Sequence, residues 1–456
     1  MKKSILLFFA LVSGTLLVMS QVIPQHGNAA FQVLRSDENE ISVSYTSGQY
    51  SLNRVQTPRG EEFVVTADEA LPLMVSGAPD LPFITSSVII PDQGGFNVVV
   101  NYGEFELIEN VKIAPSKGSL LRTVDPATVP YIYGDSYATD EFFPGNSLPS
   151  CSEPFILRDF RGITVKAYPY QYNPVTEQLR VYKSISLSIV KDDHVLAVNE
   201  LMRTKSLTET DPDFAKVYND FFLNYTNNPV RYNALAEGAP GRIVIMAKNT
   251  YIPDLQDYIT WKTQKGHEVV LVSSDTIGTT AAVIKTWLQN YFNTVGFTYL
   301  LIVGDAQHIP PMVVNSEDSD NAFSYILGND SYADYFVGRF SGESSADMLT
   351  QVQRTVEYER DLNESATWLG NAFGSASNEG AGQGHNGESD LQHLNLIKTD
   401  LINYGYNVTH VNQDGGSNAL ISTAFNSGQG LANYIGHGDV TLWVNTNFTN
   451  TQVNQL

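Results

Sequence analysis

The chain changes its period once, and that change limits what it can fold into. Residues 21–231 carry short alternating or β-branched runs: Ile41–Tyr45, Ser86–Ile90, Phe96–Tyr102, Ile163–Tyr168 and Leu179–Val190. Turn clusters such as Gly77-Ala78-Pro79-Asp80 and Pro91-Asp92-Gln93-Gly94-Gly95 separate them, and no helical period lasts. Residues 232–456 alternate strand and helix instead. Ile243–Ala247 reads as a buried strand. Pro253 opens a helix that lines up Leu255, Tyr258 and Ile259 and stops at Gly266. Val269–Val272 is a strand, Ile277–Phe292 a helix and Tyr299–Val303 a strand. Ser389–Leu401 sets Leu391, Leu394, Ile397 and Leu401 on one stripe, and Ala419–Phe425 is a shorter helix. The expected architecture is an all-β domain, sandwich or open barrel, ahead of an α/β domain with a parallel sheet covered on both faces. Asn224–Pro240 is polar and turn-rich and reads as the linker between them.

The length of 456 residues suffices for two to three domains with sizeable cores. A net charge of −22 argues against nucleic acid or an anionic membrane as partner. Met1-Lys2-Lys3 and the apolar run Ile5–Met19 form a secretory signal over residues 1–20, with cleavage expected after Ser20. The chain is therefore expected to be secreted, extracellular or at the cell surface. No other apolar run is long enough to span a bilayer. Its one cysteine, Cys151, excludes an internal disulfide framework. Cys151 lies in a Pro/Ser/Gly loop with no histidine close in sequence, which favours an incidental thiol over a nucleophile.

Candidate chemistry gathers in the second half. Leu431–Asp439 (LANYIGHGD) is a short apolar strand that stops on Gly436-His437-Gly438. An imidazole just past the carboxyl end of an α/β strand suits general acid–base work, although a turn histidine without chemistry has the same sequence. Three acidic loops accompany it. Gly304-Asp305 follows a strand directly. Gly328–Asp334 has closely spaced oxygens and reads as a short calcium loop or as a solvated acidic turn; it lacks the EF-hand pattern. Residues 378–390 are rich in glycine and carboxylates, with His385 and His393 nearby, and lie where a site is expected. These two histidines lack zincin spacing, which speaks against zinc.

GDAQHIP, SYILGNDSYADYFVGRFSGES, ASNEGAGQGHNGESDLQH and LANYIGHGD, in that order, resemble the gingipain family of cysteine peptidases, and its arginine-specific members most. The likeness runs from about Gly241 to Leu456, and the β half resembles the family prodomain more loosely. The resemblance implies a caspase-like α/β catalytic domain, incomplete at its carboxyl end, over residues 232–456 behind a β-rich prodomain over residues 21–231. It implies His437 as catalytic histidine and Glu379 as the carboxylate that orients it. Asp390 would lie at the base of the specificity pocket and pair a substrate guanidinium. Gly438 would offer its N–H to an oxyanion. Calcium would be held by Asp305, Asp330 and Asp334 with the carbonyls of Leu327 and Tyr332, and a second calcium in part by Glu388 and His393.

The nucleophilic cysteine of the family is expected about fifteen residues past Leu456. The chain is then expected to be a catalytically silent amino-terminal portion of a secreted cysteine endopeptidase zymogen, whose substrates are proteins and peptides with arginine before the scissile bond. Arg231-Tyr232 is the expected processing site, since unperiodic linkers are where proteases cut. The prodomain is the expected inhibitor; within Lys117–Val124, Arg122 is either its plug or a solvated surface arginine. Two other functions fit the sequence: an export-processing peptidase of different specificity, or a non-catalytic secreted adhesin with a degenerate peptidase domain.

Overall fold

The computed structural model describes residues 31–67, 70–120, 124–203, 207–226, 236–237, 240–363, 365–380 and 388–456. The expected signal over residues 1–20, Arg122, Arg231, Tyr232 and His385 lie outside these residues.

In the first half, alternation places one face of each strand inward. Glu40–Thr46 pairs antiparallel with Phe31–Ser36 and Ser184–Lys191, and the latter pairs with Phe96–Tyr102. Ile41, Val43 and Tyr45 meet Ile185, Leu187 and Ile189 in one buried core. A second sheet, built on Pro82–Ile89 and Phe160–Ala167, sends Ile84, Val88, Ile163 and Val165 into the same core. Two antiparallel sheets over one core make a sandwich. Cys151 packs against it and bridges to Val165, and burial pushes its thiol up.

Two expectations fail here. Leu179–Val190 is not one strand: Gln178–Tyr182 and Ser184–Lys191 lie in different sheets, and the chain crosses at Lys183. The half is also not free of helix. Pro212–Phe221 is an α-helix that buries Phe214 and Tyr218. Asp211 caps it by accepting from the N–H groups of Asp213 and Phe214, and Pro212 occupies the first turn, where its missing N–H costs nothing.

The second half holds two parallel sheets. The first has the order Val269–Ser273, Ile243–Ala247, Tyr299–Val303, Phe336–Phe340. Ile243–Ala247 is buried on both faces. Val244 and Met246 pack with Ile284, Leu288 and Phe323, whereas Ile243 and Ile245 pack with Leu255, Met348 and Val352. An unbroken apolar run is what a doubly covered strand requires. The helix expected from Pro253 begins later, at Gln256–Gln264, because Asn249–Leu255 forms a 3-10 turn. The expected helix Ile277–Phe292 is two, Ser274–Ile277 and Ala281–Thr294. Gly278, at φ +141°, breaks it, and the Thr280 side chain caps the restart. Ser345–Arg360 is a further helix, started by a capping box between Ser344 and Asp347.

The other sheet has the order Asn407–His410, Asn371–Ala376, Leu431–Ile435. The helices Asp390–Tyr404 and Asn418–Asn426 supply Leu394, Ile421 and Ala424 to the buried interior of this unit. Among the described residues no helix is long and apolar enough to cross a membrane.

Candidate active site

Asn371–Ala376 and Leu431–Ile435 are parallel neighbours with Ala376 opposite Ile435, and Ser377 N donates to Ile435 O at 2.9 Å. The two chains therefore leave the sheet side by side at its carboxyl edge, where α/β folds gather reactive groups. Glu379 lies three residues past one strand end and His437 two past the other, and Glu379 Oε1 meets His437 Nε2 at 2.6 Å. The imidazole is 53% exposed and the carboxylate 17%. A carboxylate on Nε2 keeps the proton there and leaves Nδ1 to exchange a proton with an incoming group.

The histidine backbone is fixed as well. His437 O accepts from Tyr434 Oη at 2.6 Å and from Val444 N at 3.0 Å, and Trp443 stacks on Tyr434. Asn445 Nδ2 donates to Ile435 O at 2.9 Å. A Cβ on Gly436 would lie 2.2 Å from Asn445 Oδ1, so a side chain there would displace the Asn445 amide that bonds Ile435 O. Because Val444 and His437 are the hydrogen-bonded pair of the hairpin, the next pair, Gly438 and Trp443, is non-hydrogen-bonded. The N–H of Gly438 therefore points away from the partner strand.

Asp390 opens the helix Asp390–Tyr404, behind a capping box of Ser389 and Gln392. It is 3% exposed, and its Oδ2 accepts from Ser377 Oγ at 2.6 Å. The same Ser377 Oγ accepts from Glu379 N at 3.1 Å, and Asp390 N points to Glu379 O at 3.3 Å. One serine thus joins the Asp390 carboxylate to the backbone of Glu379. Ser377, Tyr434 and Asn445 were not singled out by sequence, although Ser377 lies inside the quoted motif ASNEGAGQGHNGESDLQH and Tyr434 inside LANYIGHGD.

The residues expected to bind calcium do not converge. Asp305 follows the carboxyl end of Tyr299–Val303 and accepts from Ser341 Oγ at 2.9 Å. Asp334 precedes Phe336–Phe340, which pairs in parallel with that strand from Tyr299↔Phe336 to Val303↔Phe340. Asp305 and Asp334 therefore sit at opposite edges of one sheet, separated by at least a five-residue strand length of about 13 Å. Asp334 is fully buried, and its carboxylate accepts from the N–H groups of Ile326, Leu327 and Arg158 at 2.8, 2.7 and 3.1 Å. Burial pushes its carboxyl up to about 7. Asp330 accepts from Tyr332 N and Ile156 N at 3.0 and 2.8 Å. A hard cation needs six to eight oxygens on one centre, and these oxygens already face N–H groups. The set Asp305, Leu327, Asp330, Tyr332, Asp334 does not fit one calcium ion as placed. Glu388 and His393 are together, Oε1 to Nδ1 at 2.6 Å, as a hydrogen-bonded pair. Among the described residues no group of three or more His, Cys, Asp or Glu could hold a metal.

A C25 propeptide family model matches residues 21–227, and the model of peptidase family C25 matches residues 236–456. The chain is 36% identical to Gingipain R2 of Porphyromonas gingivalis over 99% of its own length and 61% of that protein. It is 36% identical to Gingipain R1 of the same organism, covering 45% of it. A crystal structure of the Arg-specific cysteine proteinase gingipain R is 38% identical over 47% of this chain and 51% of that one, at a TM-score of 0.46. Propeptide followed by cysteine peptidase is the class of protein that these matches define. The chain belongs to the gingipain family, peptidase family C25. It spans about three fifths of the length of Gingipain R2.

Proposed function

We propose that the whole protein is a secreted cysteine endopeptidase that cleaves after arginine and is held inactive by its propeptide. The observation that carries this reading is the 2.6 Å contact between His437 and Glu379 at two adjacent strand ends, with buried Asp390 joined to Glu379 through Ser377. The nucleophile comes from outside these 456 residues. Cys151 packs on the sandwich core with its thiol pushed up, the opposite of what a nucleophile needs.

In the reaction, a thiolate attacks the scissile carbonyl, and His437 serves first as its proton acceptor or ion-pair partner and then protonates the leaving amine. Glu379 stabilises the imidazolium. The outward N–H of Gly438 is directed to the oxyanion, and Asp390 pairs the substrate guanidinium. Activation cuts Arg231-Tyr232, and the propeptide covers the cleft until then.

Amino-terminal sequencing of the secreted full-length protein tests this. The wild-type catalytic chain begins at Tyr232, and Arg231→Ala leaves the precursor uncut or cut elsewhere. A wild-type start beyond Gly241 overturns the processing site, and a wild-type protein without thiol-dependent turnover overturns the activity.

A further inference from the structure

The acidic loop before Phe336–Phe340 meets the first half of the chain. Among the described residues, Phe155–Leu157 is the edge strand of its sheet, paired on one side only, with Phe160–Ala167. The outward N–H of such an edge needs an acceptor if water is excluded. Asp330 Oδ2 accepts from Ile156 N at 2.8 Å, and Asp334 Oδ1 from Arg158 N at 3.1 Å. Arg158 returns two bonds from Nη1, to the carbonyls of Asp334 and Phe297, both at 3.0 Å. Asn199 clamps the joint: its Oδ1 accepts from Asn329 N at 2.7 Å, and its Nδ2 donates to Pro154 O at 2.8 Å. Phe155 stacks on Tyr332 with ring centres 4.1 Å apart. Beside it, Asp211 accepts from Thr298 Oγ1 at 2.8 Å, Asp213 bonds Tyr299 Oη, and Phe214 packs on Phe336.

We propose that the loop 327–334 is the peptidase unit's receptor for the propeptide: its two carboxylates cap the Phe155–Arg158 edge, and while the propeptide is docked they are not available to a cation. The anchor lies at the amino-terminal edge of the four-stranded sheet and uses none of the residues around His437. It therefore holds the two halves together whether or not the linker is intact. The inference rests on the family assignment and not on arginine specificity.

The test is hydrogen exchange of the unprocessed full-length precursor, in millimolar calcium and in chelator. Amides at 155–158 are expected to be protected equally in both. Asp330→Asn and Asn199→Gly should each speed their exchange about tenfold and leave the 243–247 amides unchanged. Glycine is chosen at position 199 because Asn199 has φ +49°. Unchanged exchange at 155–158 in both variants overturns the proposal. So does calcium that speeds exchange there in the wild type, a reading that stands even where a variant fails to fold.

Discussion

Glu379 Oε1 and His437 Nε2 are 2.6 Å apart although 58 positions separate them in the chain. Parallel pairing of two strands does this, because it brings both carboxyl ends to one edge in fixed register. The carboxylate orients the ring and selects the tautomer. In the full-length protein, Glu379→Gln should lower kcat by about 100-fold or more, as removal of a triad's third member does. Steady-state kinetics on an arginyl amide checks it; a loss under threefold would make Glu379 a bystander.

Ser377 joins Glu379 N to Asp390 Oδ2 and is itself buried. A hydrogen bond to a charged group contributes about 1.5–3 kcal/mol. Ser377→Ala should therefore lower kcat/KM for arginyl substrates by about 10- to 100-fold, mainly through KM. Equal kinetics in the mutant would show that Asp390 is held in place without the serine.

Burial raises the Asp80 carboxyl to about 6. Its folded pKa lies above the unfolded value, so its contribution is full below about pH 4 and is lost as pH rises through about 6. Asp80→Asn removes this dependence, so the mutant should gain about 3 kcal/mol on wild type between pH 4 and 7. Native-state exchange of the Pro82–Ile89 amides, followed against pH in both proteins, gives the comparison. Parallel curves would contradict the shift.

The partly buried Cys151 thiol should alkylate at least about tenfold more slowly in the folded chain than in urea, since only the thiolate reacts. Cys151→Ala should leave turnover by the full-length protein unchanged. Thiol-dependent turnover abolished by this mutation would place the nucleophile where the structure does not support one.

Much of the architecture was legible because its signals are local. IVIMA reads as a doubly covered strand, and LANYIGHGD as a strand with histidine at its end. The crossing at Lys183 showed only as a single break, because Leu179, Val181, Ile185, Leu187 and Ile189 all face inward at odd positions and Lys183 is the one exposed odd residue among them. Helix Ser345–Arg360 had a readable start, Ser344 with Asp347, ahead of Met348, Val352 and Val356 at four-residue spacing. The break at Gly278 was readable too, as glycine followed by the Thr280 cap. The partners of the acidic loop were not legible for a different reason. Its acceptors serve N–H groups of Ile156 and Arg158, more than 170 positions away, and no local pattern announces such a partner.

In the proposed function, arginine specificity rests on Asp390, the buried acid joined to Glu379 through Ser377. A guanidinium that loses its buried partner costs about 2–4 kcal/mol. The most direct measurement is kcat/KM of the processed full-length enzyme on matched arginyl and lysyl amides, wild type against Asp390→Asn. The account predicts a strong arginine preference in the wild type and a fall of about 30- to 1,000-fold on the arginyl substrate in the mutant. Arginine preference that survives Asp390→Asn, or a wild type that shows none, would contradict it.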